Sequence, residues 1–340
     1  MNDDFLEELL NNKIIKFSSN RMHKIYYDMN TGTEVFRELN VRPDDKLSRK
    51  ESIEWAKRKR EWELAVELTK KRGFVQMKRA MRDVTGRARQ YHSHLFMKLI
   101  PIVSFDEKPL SLNGKSLNQT KIAKYLGVQR KVASTFIRNM IELGILEECK
   151  GGTKNEIFYK LCSKYIIKGE FEEPEEYSVK VLQKQLKHYI DLIEEETERY
   201  KKKERKIKRD LYPLSLLLAL LPYVHYQSHI ICENSKEDFL KEHTTISEAI
   251  RHNKRLVKRL TDKKIWNEMS GQNVKQLSVR DKQKFNIYFE ILLKTNVIAL
   301  FQGSNKMYIV NPNIVFVMSY FKDETWTETL KSLFTIVESF

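Results

Sequence analysis

The chain has 340 residues, with 62 Lys and Arg against 46 Asp and Glu, a formal net charge of +16, a pI of about 9.5 and a 41% hydrophobic composition that includes 17 Phe, 15 Tyr and 4 Trp. That much apolar and aromatic material builds packed cores, which excludes a solvated disordered polymer, and the length suggests two or three domains. The excess of positive charge favours polyanionic partners, nucleic acid before all others.

Cys149, Cys162 and Cys232 match no zinc-ligand spacing, and an odd number argues against a disulfide framework. The first ten residues, MNDDFLEELL, are acidic where a signal peptide would be basic. The apolar run 214–224 is too short to span a bilayer and contains Pro222. The expectation is a cytoplasmic protein with no membrane partner.

Residues 1–73 read as an appended region. Asp3–Asn11 suits a short helix, Ile14–Ser18 and Lys24–Asp28 suit strands, and Asn30-Thr-Gly32 suits a turn. Ser48 with Glu51 forms a capping box that opens a long helix from Arg49 to Arg72, stopped by Gly73. Its basic run Lys57-Arg-Lys-Arg60 is read as a solvated face slightly ahead of a phosphate-contacting one.

The segment 74–170 carries the most specific pattern. His94–Val103 (HLFMKLIPIV) is an apolar helix that ends near Pro101. After a cap at Asn118, followed by Gln119, the residues Ile122, Ala123 and Leu126 recur at helical spacing. Gly127 takes the left-handed conformation that ends this helix. The next helix turns Val132, Phe136, Ile137, Met140 and Ile141 inward. Gln129, Arg130, Lys131, Ser134, Thr135 and Arg138 fall on the opposite face, and these residue types read base edges and hold phosphates. Ile145–Cys149 and Glu156–Leu161 read as a hairpin whose Lys150-Gly-Gly-Thr-Lys154 tip places two lysines on a nucleic-acid backbone. Helix, turn, second helix and basic hairpin form the order of parts in a winged helix-turn-helix.

Residues 177–210 read as one amphipathic linker helix with Leu182, Leu186 and Ile193 on its apolar side and a basic end. Residues 211–316 repeat the earlier plan. LLALLPYV (217–224) parallels FMKLIPIV (96–103), and LTDKKIWNEM (260–269) parallels LNQTKIAKYL (117–126). Val279–Lys294 is the second candidate recognition helix, with Arg280, Lys282 and Lys284 as its cations and Lys306 in the following hairpin. An insertion at 271–276 lengthens the turn between the two helices. Residues 317–340 read as a helical tail. The fold expected is mainly α with small β wings: two tandem winged-helix domains joined by a long helix, plus the N-terminal helical and hairpin region.

No Gly-rich phosphate loop, Walker lysine, metalloprotease pair or nucleophile elbow occurs. His92 and His94 lack a carboxylate or Cys at ligand spacing, so they read as ordinary helix-surface histidines. Tyr91 as a nicking nucleophile would need a separate metal-binding histidine cluster. No catalytic residue, metal or cofactor is expected, and the chain reads as a non-enzyme.

The stretch LNQTKIAKYLGVQRKVASTFIRNMIELGIL, the preceding helix ending in Pro101 and YIVNP at 308–312 resemble plasmid and phage replication initiators of the winged-helix Rep type. The resemblance covers residues 74–315. It implies sequence-specific binding to double-stranded DNA at origin repeats, with a second copy of the chain and host replication proteins as further partners. A repressor of a mobile element uses the same module and stays open, as does a factor whose repeated domains bind other proteins.

Overall fold

The computed structural model describes residues 73–334 apart from 106, 152–155, 169–177, 204–209, 242–244, 254, 303–305 and 318–322, together with the backbone of three strands nearer the N-terminus. The chain divides into two units, 1–67 and 68–340.

The described strands of the first unit form an antiparallel sheet of β1 (Lys16–Ser19), β2 (His23–Tyr27) and β3 (Glu34–Leu39). Lys16 pairs with Tyr27 and Ile25 with Arg37, and the register shifts between Tyr26 and Tyr27. The two anticipated strands lie within two residues of β1 and β2; β3 was not anticipated. The helices expected at 3–11 and 49–72 lie outside the described residues.

The second unit is built from a repeated order of elements. Its first run comprises β4 (Phe74–Lys78), α1 (Met81–Thr85), α2 (Gln90–Leu99), a 3-10 turn (Ile100–Ile102), the small hairpin of β5 (Ser111–Leu112) and β6 (Lys115–Ser116), α3 (Gln119–Leu126), α4 (Arg130–Glu142), β7 (Leu146–Lys150), β8 (Ile157–Leu161) and β9 (Ile166–Ile167). Its second run comprises β10 (Ser178–Leu182), α5 (Gln183–Lys203), α6 (Pro213–Leu220), a 3-10 turn (Leu221–Tyr223), α7 (Ile246–His252), α8 (Asp262–Ser270), α9 (Val279–Lys294), β11 (Ile298–Gln302), β12 (Lys306–Val310) and β13 (Val315–Phe316), followed by α10 (Glu324–Leu333). Pro101 and Pro222 sit at the same early position of their 3-10 turns.

One four-stranded sheet takes strands from both runs in the order β13-β10-β4-β9. The inner strands pair antiparallel, with Lys180 opposite Gln76, and each outer strand pairs antiparallel with the inner strand of its own run. Helix α6 (PLSLLLAL) is buried at all eight positions, as a helix apolar on every side must be. It packs on α2, α8 and α9. A single apolar core runs from Val75 through Leu217 to Val317. The amide of Gln183 satisfies the 3-10 turn at Ile100–Ile102 from inside this core, its Nε2 donating to the carbonyls of Ile100 (3.1 Å), Pro101 (3.2 Å) and Val103 (3.0 Å). Cys232, Ile309, Trp326, Leu330 and Phe334 belong to a second, smaller core that holds α10.

The expected mainly α fold of two tandem winged-helix domains is therefore corrected. Among the described residues the helices are accompanied by several antiparallel sheets and do not take up a clear winged-helix arrangement; the fold is mixed α/β. The physical reason is long range. β4 and β10 pair with each other, and α2 packs on α6, so the repeated runs merge into one core instead of closing one each.

Candidate nucleic-acid interface

Helices α3 and α4 meet at a tight turn. The Asn118 side chain accepts from Lys121 N–H (3.1 Å) and so caps α3. Ile122, Ala123 and Leu126 are buried on one side of the helix. Gly127 ends it at φ 68°, and the Val128 N–H reaches back to the Ala123 carbonyl (3.0 Å), a Schellman closure. Gln129 is extended and starts α4 without a side-chain cap.

Along α4, Ala133, Phe136, Ile137 and Met140 are buried at i, i+3, i+4 and i+7, while Arg130, Lys131, Ser134, Thr135 and Arg138 are exposed together with Gln129. Val132 and Ile141, expected inside, are half-buried, and Ala133 fills the inner position instead. Thr135 Oγ1 donates to the Lys131 carbonyl (3.1 Å), and Arg138 lies 4.0 Å from Glu142 in an ion pair whose members are 74% and 63% exposed. An ion pair that exposed contributes little, so the Arg138 guanidinium stays available to a ligand.

The hairpin of β7 and β8 follows. Leu146 pairs with Leu161 and Lys150 with Ile157, and the Gly151 N–H donates to the Glu156 carbonyl (2.6 Å). Lys150 is exposed at the end of β7; Lys154 lies outside the described residues. Lys160, mid-hairpin, is bound by Glu107 and Glu147 at 3.2 Å each, which raises its pKa. Asn118 is less free than its sequence position suggested. Besides capping α3 it donates to Glu156 (3.3 Å) and so ties the helix start to the hairpin; it and Gln119 are half-buried.

The second run repeats this geometry with a longer turn. Thr261 caps α8, Gly271 ends it at φ 68°, and Ser278 caps α9. Ile265, Trp266 and Met269 of α8 and Phe285, Tyr288 and Leu292 of α9 face the core. Arg280 and Lys282 are exposed near the start of α9. Lys284 points elsewhere: it is half-buried, its Nζ donates to Gln90 (2.9 Å), and it sits over the rings of Tyr212 (5.6 Å) and Tyr288 (5.7 Å). The Lys306 side chain lies outside the described residues.

No protein-family model, curated protein or solved structure matches the chain.

Some of the titratable residues weighed in the sequence turn out to be structural. His92, expected on a helix surface, is buried, with Nδ1 2.8 Å from Asn139 Oδ1 and its ring edge on Phe136. His94 is also largely inside, 3.7 Å from Glu194, and burial lowers its pKa. Burial works against the Glu194 charge, but hydrogen bonds from His94 and Lys98 overcome it and hold the carboxyl down at about 2. Tyr91 packs on Tyr212 with ring centroids 5.1 Å apart. Among the described residues no three His, Cys, Asp or Glu side chains form a metal-binding group, and no helix is long and apolar enough to cross a membrane. Two exposed arginines, Arg87 and Arg89, went unnoticed in the sequence although Thr85-Gly-Arg-Ala-Arg-Gln90 is a compact basic loop.

Proposed function

We propose that the chain binds double-stranded DNA sequence-specifically, with α4 entering the major groove and the β7–β8 hairpin resting on the backbone. The observation that carries this reading is the sidedness of α4. Its buried face is wholly apolar, its exposed face holds Gln129, Arg130, Lys131, Ser134, Thr135 and Arg138, and the helix follows a left-handed turn at Gly127 and precedes a hairpin that exposes Lys150. Arg and Gln at such positions make bidentate contacts to guanine and adenine edges, while Ser, Thr and Lys reach phosphates. The net charge of +16 supplies the long-range attraction. The finer role proposed is initiation of replication at origin repeats of a plasmid or phage, in the cytoplasm. It is supported by the sequence resemblance of residues 117–146 and 308–312 to Rep initiators.

The test is titration of the full chain against a duplex selected from a random pool and against random duplex, at several salt concentrations. Arg130→Ala is expected to weaken binding to the selected duplex by about 1–3 kcal/mol and to relax preference at one base position. Lys150→Ala is expected to weaken all duplexes alike and to lower the log–log salt slope by about one. A wild-type chain without salt-sensitive duplex affinity, or an Arg130→Ala chain identical to wild type, overturns the reading. Loss of element copying with promoter control intact separates an initiator from a repressor.

A further inference from the structure

We propose that the cleft between α8 and the α1–α2 loop is a second seat for duplex DNA, one that holds the phosphate backbone independently of base sequence, with Arg87, Arg89 and Lys263 as its cations. This inference rests on the duplex-binding reading above.

The cleft has a volume of about 570 Å³ and is lined by Gly86 of the loop and by Lys263, Asn267, Gly271, Gln272 and Asn273 of α8 and its following turn, among others. None of its lining side chains is aromatic or aliphatic. Such a lining offers nothing for a base to stack on and nothing for an apolar ligand to bury against, whereas amides and cations suit phosphate oxygens.

The loop is fixed against the second helix pair. A Cβ added to Gly271 would stand 3.1 Å from the Ala88 carbonyl oxygen and 3.2 Å from that of Gly86, so the two backbones touch. Thr85 Oγ1 donates to Glu268 (3.4 Å), and Lys284 Nζ donates to Gln90 Oε1 (2.9 Å). Residues 85–90 of the first run are thereby held beside α8 and α9 of the second.

Two carboxylates stand near this surface, and Glu268 is part of the cleft lining. Glu268 accepts from the Tyr223 hydroxyl (2.5 Å) as well as from Thr85, and Glu233 pairs with Lys264 (3.2 Å). Arg82, the inner wall of the cleft, is bound to the Pro222 carbonyl (2.5 Å) and Ser235 (3.0 Å) and covers the Tyr223 ring, so it serves the fold. Arg89 and Lys263 are exposed and have no ion-pair partner among the described residues. Arg87 is exposed and gives only its Nε to the Asp83 carbonyl (3.0 Å), which leaves its outer nitrogens available. Lys263 on the cleft wall, with Arg87 and Arg89 on the loop that borders it, outnumbers the lining carboxylate Glu268 and forms an anion-attracting surface that neither run makes alone.

The test compares the full chain with the triple variant Arg87→Ala/Arg89→Ala/Lys263→Ala, using the selected and random duplexes between about 50 and 200 mM salt. The expected result is a log–log slope lower by about two to three, since each phosphate contact releases roughly 0.9 counterion, with equal weakening of both duplexes and an unchanged ratio between them. The charge-keeping variant Arg87→Lys/Arg89→Lys/Lys263→Arg is expected to restore the slope. An unchanged slope in the alanine variant overturns the inference, and so does a charge-keeping variant as weak as the alanine one, because shape rather than charge would then be acting. If wild type binds duplex and Arg130→Ala impairs it while the triple variant does not, only this seat is lost. If wild type binds no duplex, the α4 reading and the seat fall together.

Discussion

Gly127 and Gly271 end equivalent helices at the same φ of 68°, but their surroundings differ, and that difference predicts unequal costs for the same substitution. At Gly127 an added Cβ meets nothing within 4 Å, so Gly127→Ala carries only the left-handed backbone strain of about 1–2 kcal/mol. The stiffer unfolded chain offsets about 0.4–1 kcal/mol of it, leaving roughly 1 kcal/mol. At Gly271 the same strain is joined by approach to the backbone oxygens of Ala88 and Gly86 at 3.1 and 3.2 Å. Backbone carbonyls do not swing aside as a long side chain would, and forcing them apart adds about 1–2 kcal/mol. Gly271→Ala is thus expected to cost about 2–3 kcal/mol. At roughly 2–4 °C per kcal/mol, a thermal scan of each full-length variant should show Gly271→Ala melting several degrees below Gly127→Ala. Equal melting temperatures would refute the close packing of the 85–90 loop on the second helix pair, and with it the composite cleft.

Asn311 is fully buried, and its amide donates to Tyr189 Oη (2.8 Å) and the Asn296 carbonyl (2.7 Å) while its Oδ1 accepts from Asn313 N–H (2.8 Å). Asn311→Ala strands several polar groups at about 1–3 kcal/mol each, so a large drop in the urea midpoint is expected; a drop below about 1 kcal/mol would mean that the network is not formed. Acid is expected to destabilise the second unit well above the carboxylate range. Burial pushes the His225 imidazole down to about 4 and that of His229 to about 3. An unfolded histidine titrates near 6.5, so below roughly that pH the unfolded chain takes up protons that the folded one refuses. Stability is full above about pH 6.5 and declines toward about pH 4, on the order of 1.4 kcal/mol per pH unit for each histidine. Identical urea midpoints at about pH 7 and about pH 5 would contradict this.

The sequence by itself determined the local parts of this protein. The 3.6-residue spacing of Ile122, Ala123 and Leu126 and of Phe136, Ile137 and Met140, broken by a glycine suited to positive φ, was enough to place α3, the turn and α4 and to say which side chains face out, because those choices depend on neighbours within a few residues. The proline-ended apolar helices at 90–102 and 213–223 and the hairpins at 146–161 and 298–310 were legible for the same reason. What only the tertiary structure decided is how these parts combine. Residues 178–182, expected as the start of a linker helix over 177–210, form a strand instead because they pair with Phe74–Lys78 across about a hundred residues, and that pairing turns an expected tandem of small helical domains into one mixed α/β unit. The fates of single polar residues were set in the same way. Lys284 and Asn118 have the composition of ligand-binding residues, yet Gln90, Glu156 and the Lys121 amide claim them, and Arg87 and Arg89 acquire a setting only because the backbone of Gly271 lets their loop approach. Periodicity reports which face of an element is apolar; it carries no information on which distant element will cover that face.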